Sequence, residues 1–140
     1  MAGRRSPNPR NKTSVATDAI GILTLTTKTA GDAAERFAEK FLLAQKLKVV
    51  ARNYRCRFGE IDLIMQDRET LVFVEVRMRA SGKFGGAGAS IHVAKQQRLI
   101  ATAQHYLASL HHTPPCRFDA ILMNELDNAS VEWIKDAISA

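Results

Sequence analysis

The sequence predicts an α/β fold, a mixed β-sheet flanked by α-helices, on three observations. Two strand-length apolar runs, Gly59-Glu60-Ile61-Asp62-Leu63-Ile64-Met65 and Leu71-Val72-Phe73-Val74-Glu75-Val76-Arg77, flank a short polar break. Apolar residues at helical spacing bracket that pair, in stripes at 34–42 and 91–110. Further strand-like runs precede the pair and follow the second stripe. The order is therefore helix, strand, hairpin, helix, strand, strand.

Residues 1–30 read as a disordered basic tail, rich in Pro, Asn, Ser, Thr and Gly and without a sustained period. Their apolar patch at 19–25 is short and interrupted by Thr24, so no secretory signal is expected despite Arg4-Arg5. The folded domain is expected over 31–140. Its first helix starts near Asp32, an acceptable N-cap with Glu35 three residues on. Ala34, Phe37, Ala38, Phe41 and Leu42 form its buried stripe. Glu35 sits at the stripe's edge, where its ordinary role is to partner the cap.

Residues 47–56 read as the first strand. The hairpin follows, with Arg68-Glu69 as its two-residue turn. Strand side chains alternate faces, so Glu60, Asp62 and Ile64 share one face, as do Phe73, Glu75 and Arg77. In that register Asp62 faces Glu75 and Glu60 faces Arg77. Like charges opposed across a sheet repel, and unpartnered buried carboxylates are costly. A divalent cation between Asp62 and Glu75 would turn that cost into a binding site.

The segment 81–88 holds four glycines and reads equally as a substrate-covering loop or a linker. It is not a phosphate-cradling P-loop, because Phe84 follows Lys83 where Ser or Thr is needed. Ser90 is the expected cap of the second helix, 91–110. Lys95 and Arg98 oppose the dipole at its start, which suggests a task for them outside the helix. Residues 117–123 and 131–134 read as two more strands, the last at an edge. His92, His105, His111 and His112 lack metal-ligand spacing and receive no chemistry.

Charge distribution narrows the partners. The 140 residues carry net +6, and residues 46–98 alone hold eleven basic and five acidic side chains. A basic surface beside an acidic cluster suits a polyanion bound next to a metal. The candidate phosphate contacts are Arg52, Arg55, Arg57, Arg79, Lys83 and Arg98. A solvated basic face is the plain alternative. There is no apolar run of about 18 residues, so no membrane partner is expected. Two cysteines are too few for a disulfide framework and point to reduced thiols in a cytoplasmic protein. The sequence shows no platform of stacking aromatics and no base-reading motif.

Asp62 followed by Glu75-x-Arg77 resembles the acidic core of the PD-(D/E)XK nuclease superfamily, in which an Asp precedes a strand bearing Glu-x-Lys. Together, 59–64, Phe73-Val74-Glu75-Val76-Arg77-x-Arg79, Lys95-Gln96 and Arg117-Phe118-Asp119 resemble the YraN family. Its members are small bacterial proteins expected to be endonucleases related to archaeal Holliday-junction resolvases. The resemblance spans nearly all of 31–140. It implies a restriction-endonuclease-like fold and a site of Glu35, Asp62 and Glu75 that holds Mg²⁺ or Mn²⁺. It also implies DNA as partner and, by analogy with resolvases, a homodimer. The departure is Arg77, where the superfamily has Lys. Arginine stays protonated and cannot serve as a general base, although it can clamp phosphate. Lys95 is the spare lysine that the fold would bring to the site. The expected activity is metal-dependent hydrolysis of branched or structured DNA. The alternatives are a non-catalytic nucleic-acid-binding protein on the same fold, or an assembly partner whose acidic hairpin is an ion-pair network.

Overall fold

The computed structural model describes residues 19–78, 92–124, 126–127 and 130–138, with side chains from residue 31 onward. The chain divides into two compact units, Met1–Ala33 and Ala34–Ala140. The elements are α1 (Ala19–Ala44), β1 (Lys48–Cys56), β2 (Gly59–Asp67), β3 (Thr70–Met78), α2 (Val93–Leu107), β4 (Cys116–Met123) and β5 (Glu132–Ile134). The five strands form one sheet in the order β1-β2-β3-β4-β5. The β3–β4 pair is parallel and the other three pairs are antiparallel. This mixed sheet with two helices is the α/β fold that the element order predicts, and it is consistent with the restriction-endonuclease-like domain that the resemblance implies. No helix among the described residues is long and apolar enough to cross a membrane.

Two apolar layers hold the sheet. On one face Ala34, Ala38 and Leu42 of α1 meet Leu63, Met65, Val72, Val74, Ile121 and Met123. On the other, Leu99 and Ala103 of α2 meet Ile61, Ile64, Phe73, Phe118, Ala120 and Leu122. Strand alternation sends neighbouring residues of β3 and β4 to opposite layers. The end of α1 is set by Lys46, at φ 77, and by the Leu47 amide donating to the Leu42 carbonyl at 3.1 Å. Leu42 and Leu47 are both buried, which gives the helix stop its usual apolar contact.

Three sequence expectations are corrected. The first helix begins at Ala19, so Asp32 lies inside it and does not cap it, and the residues of the expected tail from 19 onward are helical. The threonines of 24–29 are weak helix formers and disguised that stretch of helix. Residues 1–18 lie outside the described residues. The second helix is shorter than expected, Val93–Leu107, with His92 at its N-cap and no side-chain cap bond. Ser90, Ile91 and the glycine-rich segment lie outside the described residues.

The third correction concerns β2. Ile61 and Ile64 lie in the same apolar layer, and Leu63 lies in the opposite one. Simple alternation therefore fails around Asp62, and Ile64 does not mark the face of Glu60 and Asp62. The neighbouring strand β1 is irregular too, with its register shifting between Val49 and Ala51. Asn53 adopts φ 50, a left-handed conformation that a short polar side chain tolerates. Ala51 and Tyr54 pack on the α2 layer, while the intervening Arg52 and Asn53 both reach glutamates of α1. The paired distortion re-aims side chains in the middle of both strands.

Candidate active site

The β2–β3 register is the one expected from a two-residue turn at Arg68-Glu69. It runs from Asp67↔Thr70 to Leu63↔Val74 and then stops. Asp62 occupies the position where backbone pairing ends. Its Oδ2 accepts a hydrogen bond from the Val76 amide at 2.8 Å, so a side chain continues what the ladder leaves off. Extending the register by one residue sets Asp62 against Glu75. Glu75 is only 7% exposed, although it is a carboxylate on a strand of buried apolar neighbours.

Electrostatics follow from that placement. Burial pushes the Asp62 carboxyl up to about 8, and the charge of Glu75 adds to the shift. The Val76 amide works in the opposite sense. Glu35 raises it further, by its charge and by a hydrogen bond to Asp62. Glu35 in turn accepts from the Asn53 Nδ2 at 2.9 Å. So α1, β1, β2 and β3 each deliver a polar group to one locus.

The fifth contribution comes from α2. The Lys95 Nζ lies 2.9 Å from the Glu75 Oε2. With Arg98 and Arg55, these residues line an open cleft of about 540 Å³ that also contains Asp62, Glu60 and Gly59. Gly59 fixes how closely α2 approaches. It sits at φ +151, and a Cβ there would meet the Thr102 Oγ1 at 3.1 Å. The unfavourable basic start of α2 is thereby explained, since its cations face a cluster of carboxylates.

The other expected residues have these partners. Arg52 makes a two-pronged ion pair with Glu39, at 2.7 and 2.8 Å. Arg55 sits opposite Glu60 and pairs with it at 3.3 Å, so Glu60 finds its cation on β1 and lies outside the β2–β3 ladder that was to set it against Arg77. The Arg57 guanidinium lies over the Phe58 ring, 4.9 Å from its centroid. Arg77 is half-buried on β3 and opposite Leu122 of β4. Arg79 and Lys83 lie outside the described residues.

Sequence reasoning missed Asn53 and Glu39, and it gave Asp119 no role. A polar residue in a strand before two arginines was the one available signal for Asn53. The Asp119 side chain is fully buried. It accepts from the Arg117 guanidinium at 3.0 Å, from the Trp133 Nε1 at 2.9 Å and from the Asp136 amide at 2.9 Å. Arg117 also reaches Asp67 at 3.0 Å. The Arg117-Phe118-Asp119 motif is thus a satisfied brace between β4, β5 and the β2–β3 turn.

Comparison with known proteins places the chain. Residues 34–123 match the model of UPF0102, described as an uncharacterised protein family. A UPF0102 protein of Methylobacillus flagellatus is 60% identical over 113 residues, 81% of this chain and 99% of its own length. One from Nitrosospira multiformis is 55% identical over 113 residues, 81% of this chain and 95% of its own. One from Nitrosomonas europaea is 58% identical over 107 residues, 76% of this chain and 91% of its own.

Proposed function

The chain belongs to the UPF0102 family, and we propose that it is a cytoplasmic, divalent-metal-dependent endonuclease that hydrolyses phosphodiester bonds in branched or structured DNA. The observation that carries this reading is the cleft in which Asp62 and the Lys95–Glu75 pair meet, flanked by Arg55 and Arg98. The free thiols of Cys56 and Cys116 accord with a reducing compartment.

The residues present fit Mg²⁺ or Mn²⁺. Such hard cations take one or two carboxylates and keep several waters. Among the described residues, no three His, Cys, Asp or Glu side chains converge as a metal cage. Asp62 and Glu75 would be the direct donors, and Glu35, hydrogen-bonded to Asp62, would hold a metal-bound water or a second ion. A bound cation supplies Lewis-acid polarisation of the scissile phosphate. The protein's own groups do the rest. The Val76 amide fixes the Asp62 oxygen, and Lys95 fixes Glu75 and offers a mobile cationic donor to a phosphate oxygen. Arg55 and Arg98 hold flanking phosphates by charge and by planar donor pairs. Arg77, a permanent cation, stabilises charge and takes no proton.

Lys95 supplies from a helix the lysine that the superfamily carries on its strand, two residues after the Glu. A two-fold branched substrate also suits a pair of active sites, so we include a homodimer in the proposal. The competing reading is a DNA-binding protein without catalysis, which Arg77 at the usual lysine position favours. A cleavage assay separates them, using a four-way junction, a flap and linear duplex with Mg²⁺ and with Mn²⁺. Wild type should cut at least one branched substrate, and Lys95→Ala should slow cleavage by about 10²-fold, the usual scale for one electrostatic donor. DNA binding without cleavage by wild type under both metals would assign the binding-protein reading.

A further inference from the structure

The β1–β2 turn carries Arg57 and Phe58, between the paired residues Cys56 and Gly59. Tight hairpin turns favour Gly, Asn and Asp, and Arg57 and Phe58 are none of these. Phe58 is 38% exposed, a large apolar ring left in water at a hairpin tip. Its surroundings orient it. The Arg57 guanidinium covers it at 4.9 Å, and the His105 ring of α2 stands against it with centroids 6.1 Å apart at 64°. His105 is itself held, because its Nδ1 hydrogen-bonds the Tyr54 hydroxyl at 2.5 Å. Tyr54 then packs edge-on against Tyr106, with centroids 5.2 Å apart. A tip residue locked from two sides loses little side-chain freedom on binding.

The same tip borders the cleft, whose lining includes Cys56 and Gly59 on either side of the turn. We propose that Phe58, backed by His105 and Arg57, is a stacking platform for one unpaired nucleobase of DNA whose backbone runs into the Asp62–Glu75 cleft. Every base offers a π-face, so such a platform reads strand opening and ignores sequence. Arg57 adds a cation beside the ring, which matches a polyanion and disfavours an apolar protein partner. Perfect duplex keeps its bases stacked internally and offers the platform nothing. The ring therefore selects DNA with unpaired bases next to the cut. This deepens the nuclease reading, on which it rests only for the position of the cut.

The test is binding without metal, in EDTA, to a flap DNA bearing 2-aminopurine at its first unpaired position and to the matching linear duplex. Wild type should quench the flap fluorophore. Phe58→Ala and Phe58→Leu should both abolish the quench and weaken flap binding about tenfold, within the range for one stacked base. Duplex affinity should change less than about twofold, and Phe58→Trp should restore both the quench and the preference. Leu keeps the apolar bulk, so its failure isolates stacking from folding. No quench by wild type, a quench that survives Phe58→Ala, or equal losses on flap and duplex would overturn the proposal. Cleavage that fails while the selective quench persists would remove the nuclease reading alone.

Discussion

At Asp62, burial and then the Glu75 charge set how folding depends on pH. An unfolded Asp ionises near 3.9, whereas the folded carboxyl holds its proton up to about 8. Between those values the folded chain binds a proton that the unfolded chain has released, so metal-free stability falls as pH rises through the window. One proton limits the slope to about 1.4 kcal/mol per pH unit. Asp62→Asn keeps an oxygen for the Val76 amide and carries no such penalty. Urea unfolding at pH 5 and pH 8 in EDTA should show wild type losing more stability than Asp62→Asn over that interval. Equal losses would place the Asp62 carboxyl in the ordinary range. The opposition of Asp62 and Glu75 was legible from sequence, because a two-residue turn fixes the register. The flip at Asn53 was not, since nothing local in a strand announces one left-handed residue.

Among elements, α2 does the most to convert a charged hairpin into a site. Its approach to the sheet is set by Gly59, and its first turns deliver Lys95 and Arg98 to the cleft. Sequence reading found the misplaced cations of this helix. It could not fix their target, because Lys95 meets Glu75 only after the chain crosses from β3 to the parallel strand β4. Strand β1 shows the converse. Its arginines look like one basic patch in the sequence, yet the structure gives them different neighbours. Arg52 is committed to Glu39, whereas Arg55 lines the cleft. In a salt titration of DNA binding, Arg55→Ala and Arg98→Ala should each reduce the log–log slope by about 1. Arg52→Ala should leave it unchanged. A reduction by Arg52→Ala equal to theirs would mean that Arg52 leaves Glu39 to contact phosphate.

Across the whole molecule, two carboxylate clusters on neighbouring strands are satisfied differently. Asp119 is a carboxylate whose donors are all supplied, and it joins Arg117, Asp67, Trp133 and the backbone of Asp136. Asp62 and Glu75 face each other where the β2–β3 ladder stops, with Lys95 as a partly exposed counter-ion. The first arrangement is what a stable fold does with buried charge. The second sets two carboxylates against each other, a repulsion that a divalent cation would relieve under the proposed function. The sequence marked Glu60, Asp62 and Glu75 as acids within apolar strands and gave Asp119 no role. Only the number of donors reaching each carboxylate tells brace from site, and those donors lie far apart in the chain. The aromatic group at the β1–β2 tip was hidden for the same reason, with Tyr54 and Phe58 lying about fifty residues before His105 and Tyr106. The most direct test of the central claim is calorimetric titration of the purified protein with Mn²⁺. Wild type should bind it, Asp62→Asn and Glu75→Gln should each weaken binding at least about tenfold, and Glu39→Gln should bind as wild type does. No binding by wild type, or binding that both Asp62→Asn and Glu75→Gln leave intact, would contradict a metal site between these two carboxylates.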